Sequence, residues 1–261
     1  NFYGKMENYH LIDDEDVLCL GKQQLRFYLT PMVHWPETMM TYEVTNKILF
    51  SGDAFGGFGT LDGGIFDDEV NLEFYTDEIR RYYSNIVGKY GAMVQKALKK
   101  LTAAAIDIKV VAPTHGPVWR SHPSCIIDYY DQWSKAETEE GVVIVYGSMY
   151  GNTQKMADFI ARRLAEKGIK NIRIYDSSKT HVSYIISDLW RFKGVILGSC
   201  AYNTGIFPTM ETLLHKIQNS QLKNRYLGIF GTASWSGGGV SNLNKFAEEM
   251  KWQQIGESVE A

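Results

Sequence analysis

The chain has 261 residues, 44% of them hydrophobic and 13% aromatic, and a formal net charge of −3 at pH 7. That is ample apolar material for two packed cores, and the absence of a clustered basic run argues against a nucleic-acid partner. No run approaches the ~18 apolar residues of a membrane span, and Cys19, Cys125 and Cys200 are too few and too scattered for a disulfide framework or a cysteine-only metal site, which suits a reduced, cytoplasmic protein.

In chain order, short period-2 segments at Val17–Leu20, Leu25–Leu29, Met39–Val44 and Ile48–Phe50 predict antiparallel strands. Residues 52–64 carry six glycines, too many for regular structure, and predict a loop that closes around something. From Asn71 to Leu101 the spacing turns helical, with Gly88 and Gly91 separating two helices. Val110-Val-Ala-Pro113 reads as a buried strand, and Pro123 opens a helix that runs to about Lys135.

Thr138-Glu-Glu-Gly141 reads as a linker, dividing the chain into domains at 1–138 and 141–261. Beyond it strands and helices alternate: strands at 142–146, 172–175, 194–198 and 226–230, with helices at about 153–167, 182–191, 208–218 and 240–250. Apolar runs of four or five residues between helices predict a parallel sheet buried on both faces. The ends of the chain read as truncated. Asn1 enters without a start signal, and Trp252–Ala261 reads as a strand that begins and stops.

Ligands of such sheets sit beyond the carboxyl ends of the strands. Three loops lie there, and all are rich in Gly, Ser, Thr and Asn. Ser148-Met-Tyr-Gly-Asn-Thr153 follows Val142-Val-Ile-Val145 and opens a helix, a place where backbone N–H groups and the helix dipole attract phosphate. Ser199-Cys-Ala-Tyr-Asn-Thr-Gly205, with Ala201, Tyr202, Asn203 and Thr204, and Thr232-Ala-Ser-Trp-Ser-Gly-Gly-Gly239, with Ser234, Trp235, Ser236, Gly237 and Gly238, would flank a planar ring. No Gly-x-Gly-x-x-Gly turn follows the first strand, so a flavin mononucleotide fits better than a dinucleotide.

In the first half His34, Asp53 and His115 each follow the end of a predicted strand in a Gly/Pro-rich turn. Singly, each reads equally as a turn histidine, a capping aspartate or a core histidine. Together, two imidazoles and a carboxylate suit zinc or iron, and a carboxylate can bridge two metals. His10, His122, His181 and His215 lie in polar or helix-flanking positions and are not expected to be ligands.

The words Thr30-Pro-Met-Val-His-Trp-Pro-Glu-Thr-Met39, Ser51-Gly-Asp-Ala-Phe-Gly56, Thr114-His-Gly-Pro-Val-Trp-Arg120, Ser148-Met-Tyr-Gly-Asn-Thr153, Gly198-Ser-Cys-Ala-Tyr-Asn203 and Ser234-Trp-Ser-Gly-Gly238, in this order, resemble the flavodiiron proteins, also called A-type flavoproteins. The resemblance implies an α/β architecture: a partial metallo-β-lactamase-like αββα domain, then a flavodoxin-like doubly wound parallel sheet lacking its last strand and helix. It implies FMN and a diiron site as cofactors, with His34 and His115 as terminal ligands, one on each iron, and Asp53 as the bridge. Reduction of O2 to water or of NO to N2O is the implied activity. The partners it implies are a rubredoxin-like donor and a head-to-tail homodimer or dimer of dimers, with no nucleic acid and no membrane.

The sequence also departs from that family. Its His-x-Glu-x-Asp-His ligand cluster is absent, and so are rubredoxin-type Cys-x-x-Cys extensions. The chain is therefore expected to be a piece carrying half the diiron site, inactive on its own. Two other functions remain compatible with these residues, a zinc hydrolase of the lactamase superfamily with an appended flavodoxin-like module and an FMN electron carrier.

Overall fold

In the computed structural model, residues 4, 7, 9–235 and 237–261 are described. The chain divides into two compact units, residues 1–79 with 92–131, and residues 80–91 with 132–261.

The first unit is built on one five-stranded sheet, β1 (Val17–Leu20), β2 (Gln23–Leu29), β3 (Met39–Glu43), β4 (Ile48–Gly52) and β5 (Val110–Pro113), in that spatial order. Pairing is antiparallel from β1 to β4 and parallel between β4 and β5. Strands β2, β4 and β5 therefore all run the same way, and their carboxyl ends share one edge. Helices α1 (Leu72–Tyr82), α2 (Gly91–Ala103) and α3 (Pro123–Ser134) carry the chain across. The break expected at Gly88 and Gly91 is there: a turn of π-helix over Tyr83–Val87 and a 3₁₀ turn over Gly88–Tyr90 separate α1 from α2.

The second unit is a twisted sheet of β6 (Glu139–Gly147), β7 (Ile172–Asp176), β8 (Phe192–Tyr202), β9 (Gly205–Ile206), β10 (Tyr226–Thr232), β11 (Gln253–Gln254) and β12 (Val259–Glu260). Its spatial order is β11-β10-β8-β6-β7, and every neighbour on that path is parallel. Counted from β6, this is the flavodoxin-like doubly wound order. The connecting helices are α4 (Asn152–Glu166), α5 (Val182–Arg191), α6 (Pro208–Ser220) and α7 (Gly238–Met250). Ile144, Tyr146, Ala157, Ala161 and Phe230 form a core where α4 meets the sheet.

Three sequence expectations change. The residues read as a linker, 138–141, are already strand at Glu139, because Glu139 pairs with Phe192 ahead of a register shift to Val142. The fifth edge position, expected to be missing, is partly filled: Tyr226 and Leu227 pair with Gln253 and Gln254, and Phe230 and Gly231 with Val259 and Glu260. The stretch Trp252–Ala261, read as a strand that begins and stops, thus forms two short pieces separated at Gly256, where φ is positive. Residues 80–91, read as part of the first domain, pack with the second unit. Arg80 meets the buried Asp188 on α5 at 3.4 Å, and the Tyr83 ring packs against Trp133 and Trp190.

Helix α5 runs into β8 with no intervening loop, so its last carbonyls have no residues left to cap them. Arg225, 1% exposed, does this from the β10 side. Its Nε donates to Leu189 O at 2.8 Å, and one terminal nitrogen donates to Trp190 O at 2.8 Å. Burial pushes its pKa down to about 10, which leaves the guanidinium charged at neutral pH. Arg225→Met strands these carbonyls in the interior and is expected to cost about 2–4 kcal/mol. Urea denaturation followed by far-UV circular dichroism measures this, and an unchanged midpoint would show that water replaces the guanidinium.

Candidate functional site

Two sites follow from the two sheets. The first lies where β2, β4 and β5 end. The adjacent parallel ends of β4 and β5 put Gly52 opposite Pro113, so Asp53 and His115 leave the sheet side by side. His34 comes from the loop after β2, which closes on itself: Thr30 N donates to Thr38 O at 2.8 Å, and Trp35 N to Thr38 Oγ1 at 2.9 Å. Lys100 Nζ holds the root of that loop by donating to Leu29 O at 2.7 Å.

The three side chains converge on Asp53. His34 Nε2 lies 3.5 Å from Asp53 Oδ2, and His115 Nε2 lies 3.8 Å from Asp53 Oδ1. One carboxylate thus presents each of its oxygens to a different imidazole. The arrangement is an open arc. Among the described residues, no group of three or more His, Cys, Asp or Glu is gathered closely enough to hold a metal ion as it stands.

The chemistry of the donors nevertheless fits a metal. His115 Nδ1 lies 3.0 Å from Gly57 O, and a carbonyl can only accept, so in the neutral ring Nδ1 carries the proton. Nε2 is then left with its lone pair on the Asp53 side, the tautomer that metal ligation requires. The approach is close: a Cβ on Gly56 would stand 2.4 Å from His115 Cε1. Of the six glycines of 52–64, Gly56 is the one packed against the His115 ring, while Gly57 packs on Ile79 and Gly64 on Glu69.

The same loop is fastened further on. Burial alone would raise the pKa of Asp67, but its carboxylate accepts N–H bonds from Arg120, Ser121 and His122 at 2.8–3.2 Å, and these hold it below the ordinary carboxylate range. His122 therefore meets Asp67 through its backbone N–H, and α3 begins just behind this clamp. Trp35 is half exposed, with its ring centroid 6.1 Å from that of His34.

The second site lies beyond β6, β8 and β10, the carboxyl ends of three parallel strands. A cavity of about 400 Å3 opens there, within the range of small-ligand sites. From the residues singled out in the sequence, Ser148, Met149, Tyr150, Asn152, Thr153, Ala201 and Ser234 line it. Gly151 shapes the turn, its N–H donating to Ser148 Oγ at 3.1 Å. Thr153 is fully buried, and its hydroxyl bonds that of Thr232 at 2.9 Å, tying the start of α4 to the end of β10.

Tyr202, Asn203, Thr204, Trp235, Gly237 and Gly238 surround the cavity in sequence without lining it, and Ser236 lies outside the described residues. Residues 201–206 form a tight hairpin rather than an open loop: Ala201 pairs with Ile206 and Tyr202 with Gly205, with positive φ at Asn203 and Thr204. Gly238 packs against it so closely that a Cβ would stand 2.0 Å from Thr204 O. Tyr202 and Trp235 are exposed.

Cys200, Thr232 and Ala233, within the two loops expected to flank the ring, also line the cavity, as do Met156 and Ala261, which sequence reasoning passed over. Ala261 reaches it because β12 pairs with β10 and Ala233 N donates to Ala261 O at 3.0 Å. Cys200 sits on β8, where burial pushes its thiol pKa up and the Met149 N–H works in the opposite sense.

Residues 1–116 match the family model of the ODP family β-lactamases, and residues 144–261 match that of flavodoxin. The anaerobic nitric oxide reductase flavorubredoxin of Escherichia coli O1:K1 is 33% identical over 239 residues, which cover 91% of this chain and 50% of that protein. The solved rubredoxin oxygen:oxidoreductase from Desulfovibrio gigas superposes with a TM-score of 0.93 at 29% identity, covering 100% of this chain and 65% of that one. The flavodiiron protein from Giardia intestinalis follows, with a TM-score of 0.89 at 26% identity over 96% of this chain and 62% of that one. The chain spans about half the length of the curated relatives it matches. No helix among the described residues is long and apolar enough to cross a membrane.

The Gly56–His115 contact has a measurable consequence. Long-range 1H–15N NMR of His115 is expected to show protonated Nδ1 and bare Nε2, and Gly56→Ala is expected to shift both signals as the ring gives way. An Nε2–H tautomer in the unsubstituted protein would refute the assignment.

Proposed function

The chain belongs to the flavodiiron protein family, and from that premise we propose that the protein it represents is an oxidoreductase that reduces O2, NO or both, with electrons entering through FMN and used at a diiron site. The single observation that carries this reading is the cavity at the carboxyl ends of β6, β8 and β10 in the unit that matches flavodoxin, since hydrolysis has no use for an electron carrier. The division of Asp53 between His34 and His115, one oxygen to each imidazole, suits a two-metal site, which hydrolases also use.

When bound, the flavin supplies one- and two-electron transfer and the iron pair supplies binding and joint reduction of the diatomic. The residues here do the holding. His34 and His115 would each end-ligate one iron through Nε2, and Asp53 would bridge them. In the second unit the turn 148–153 and the amino end of α4 would hold the FMN phosphate. The paired hydroxyls of Thr153 and Thr232 and the backbone around Cys200, Ala201 and Ser234 would line the rest of the ligand. Tyr202, Asn203, Thr204, Trp235, Gly237 and Gly238 belong to the same proposed flavin site as the frame that shapes it, and Ser236 is proposed for that site from the sequence alone.

Three donors cannot saturate two irons, so the proposed centre draws further ligands from residues other than these. The same proposal includes a rubredoxin-like electron donor, as the name of the Desulfovibrio relative states for that protein, and a head-to-tail dimer that brings flavin and iron together.

In the full-length protein, Asp53→Asn is expected to lower bound iron from about two per chain to one or none while FMN absorbance and content stay unchanged. Metal analysis and flavin quantification on the same sample measure both. Zinc with esterase activity in the unsubstituted protein would favour a hydrolase, and a metal-free yellow protein would favour an electron carrier. Loss of flavin in Asp53→Asn would contradict two separate sites.

A further inference from the structure

The contacts of His34 and His115, at 3.5 and 3.8 Å, are too long to aim firmly the carboxylate of Asp53. Its side chain is 44% exposed, and the terminal torsion of an aspartate is broad and roughly two-fold, so water alone would let the group turn. One hydrogen bond limits it. Thr114 Oγ1 donates to Asp53 Oδ1 at 2.6 Å. A hydroxyl bond to an ionised carboxylate is among the stronger hydrogen bonds a protein makes.

Thr114 can impose this orientation because it is itself fixed to the base of Asp53. Its backbone N–H donates to Gly52 O at 2.9 Å, continuing the β4–β5 ladder by one rung, and the neighbouring Pro113 stands opposite Gly52. On the other strand Ser51 Oγ donates to Ala54 O at 2.7 Å and closes the turn that carries Asp53. Thr114 and Asp53 are therefore held in register by backbone on both sides, and the hydroxyl reads out that register as a carboxylate direction.

We propose that Thr114 is a positioning residue that orients the Asp53 carboxylate with one oxygen toward His34 and the other toward His115, and so sets its capacity to bridge two metals. This rests on the diiron reading of the site. Thr114 adjoins His115 in sequence but acts on a different ligand, through its hydroxyl. With that hydroxyl in place Oδ1 keeps a lone pair for a metal on the His115 side, while Oδ2 stays open toward His34. Without it the carboxylate is free to turn, and a bridging ligand becomes a terminal one.

The test compares Thr114→Val, which keeps the shape and removes the hydroxyl, with Thr114→Ala and Thr114→Ser in the full-length protein. Each apoprotein is titrated with Co2+, with stoichiometry and affinity read by calorimetry and by visible absorbance, and FMN content is measured in parallel. The Val and Ala variants are expected to bind the second Co2+ about tenfold or more weakly, with FMN unchanged and the His115 tautomer preserved by NMR. The Ser variant is expected to restore two-site binding. If Val, Ala and Ser all bind two Co2+ as the unsubstituted protein does, the positioning role is overturned, and so it is if Ser behaves like Val. If Val does not fold, the contrast of Ala with Ser decides in the same way. Failure of the unsubstituted protein to bind Co2+ through His34, Asp53 and His115, seen as no effect of alanine at those positions, would instead remove the diiron reading.

Discussion

Asp53 has two oxygens, and the first unit is arranged so that each faces a different imidazole. That arrangement depends on strand direction more than on any side chain. With antiparallel steps from β2 to β3 and from β3 to β4, and a parallel step from β4 to β5, three strands discharge at one edge. His34, Asp53 and His115 are the residues just beyond those three ends. Reversing any one strand would send its ligand to the opposite edge, about five residues or ~17 Å away at the usual rise. The single parallel pair is therefore what makes the site possible, because Asp53 and His115 need adjacent strands that end together.

The same constraint recurs in the second unit with a different outcome. Parallel strands β6, β8 and β10 also open at one edge, but the groups there are backbone amides, hydroxyls and a helix terminus. Those suit a phosphate and the edge of a ring, which are recognised by many weak donors. A metal pair needs few donors, each at one position. This accounts for the distribution of tight contacts. Around His115 the loop must fit a ring and is pinned by Gly56, Gly57 and, further along, Asp67. Around the cavity the chain needs only its turns, and Ser148, Thr153 and Thr232 hold these by single hydrogen bonds.

The strands and helices were legible because most are amphipathic or fully apolar over their whole length. The convergence of His34, Asp53 and His115, the proposed ligand trio, was legible because each follows a strand in a turn with no structural need of its side chain. What stayed hidden has a physical reason in each case. Residues 252–261 read as one strand that begins and stops, whereas the chain makes two separate two-residue edge pieces, β11 and β12, whose division no side-chain pattern reports. The attachment of residues 80–91 to the second unit depends on Arg80 meeting Asp188, a pair 108 residues apart. Met156 and Ala261 line the cavity from α4 and from the residue after β12, a placement that a single sequence does not display. Thr114 stood in plain view inside a recognisable word, but its hydroxyl gains meaning only when Asp53 is brought beside it.

That last case indicates what a ligand motif leaves out. Among Thr114-His115-Gly116, the imidazole attracts attention because it can bind metal, yet the residue before it governs a ligand contributed by another strand. The β4–β5 ladder delivers Thr114 and Asp53 as a pair, since Gly52 O receives the Thr114 N–H directly. A sequence change that kept His34, Asp53 and His115 but shifted the register of β5 by one residue would turn Thr114 to the other face of the sheet. The three ligands would survive in the sequence, and the carboxylate would lose the group that aims it. Register between two parallel strands is thus as much a part of the proposed metal site as the side chains that would touch the metal.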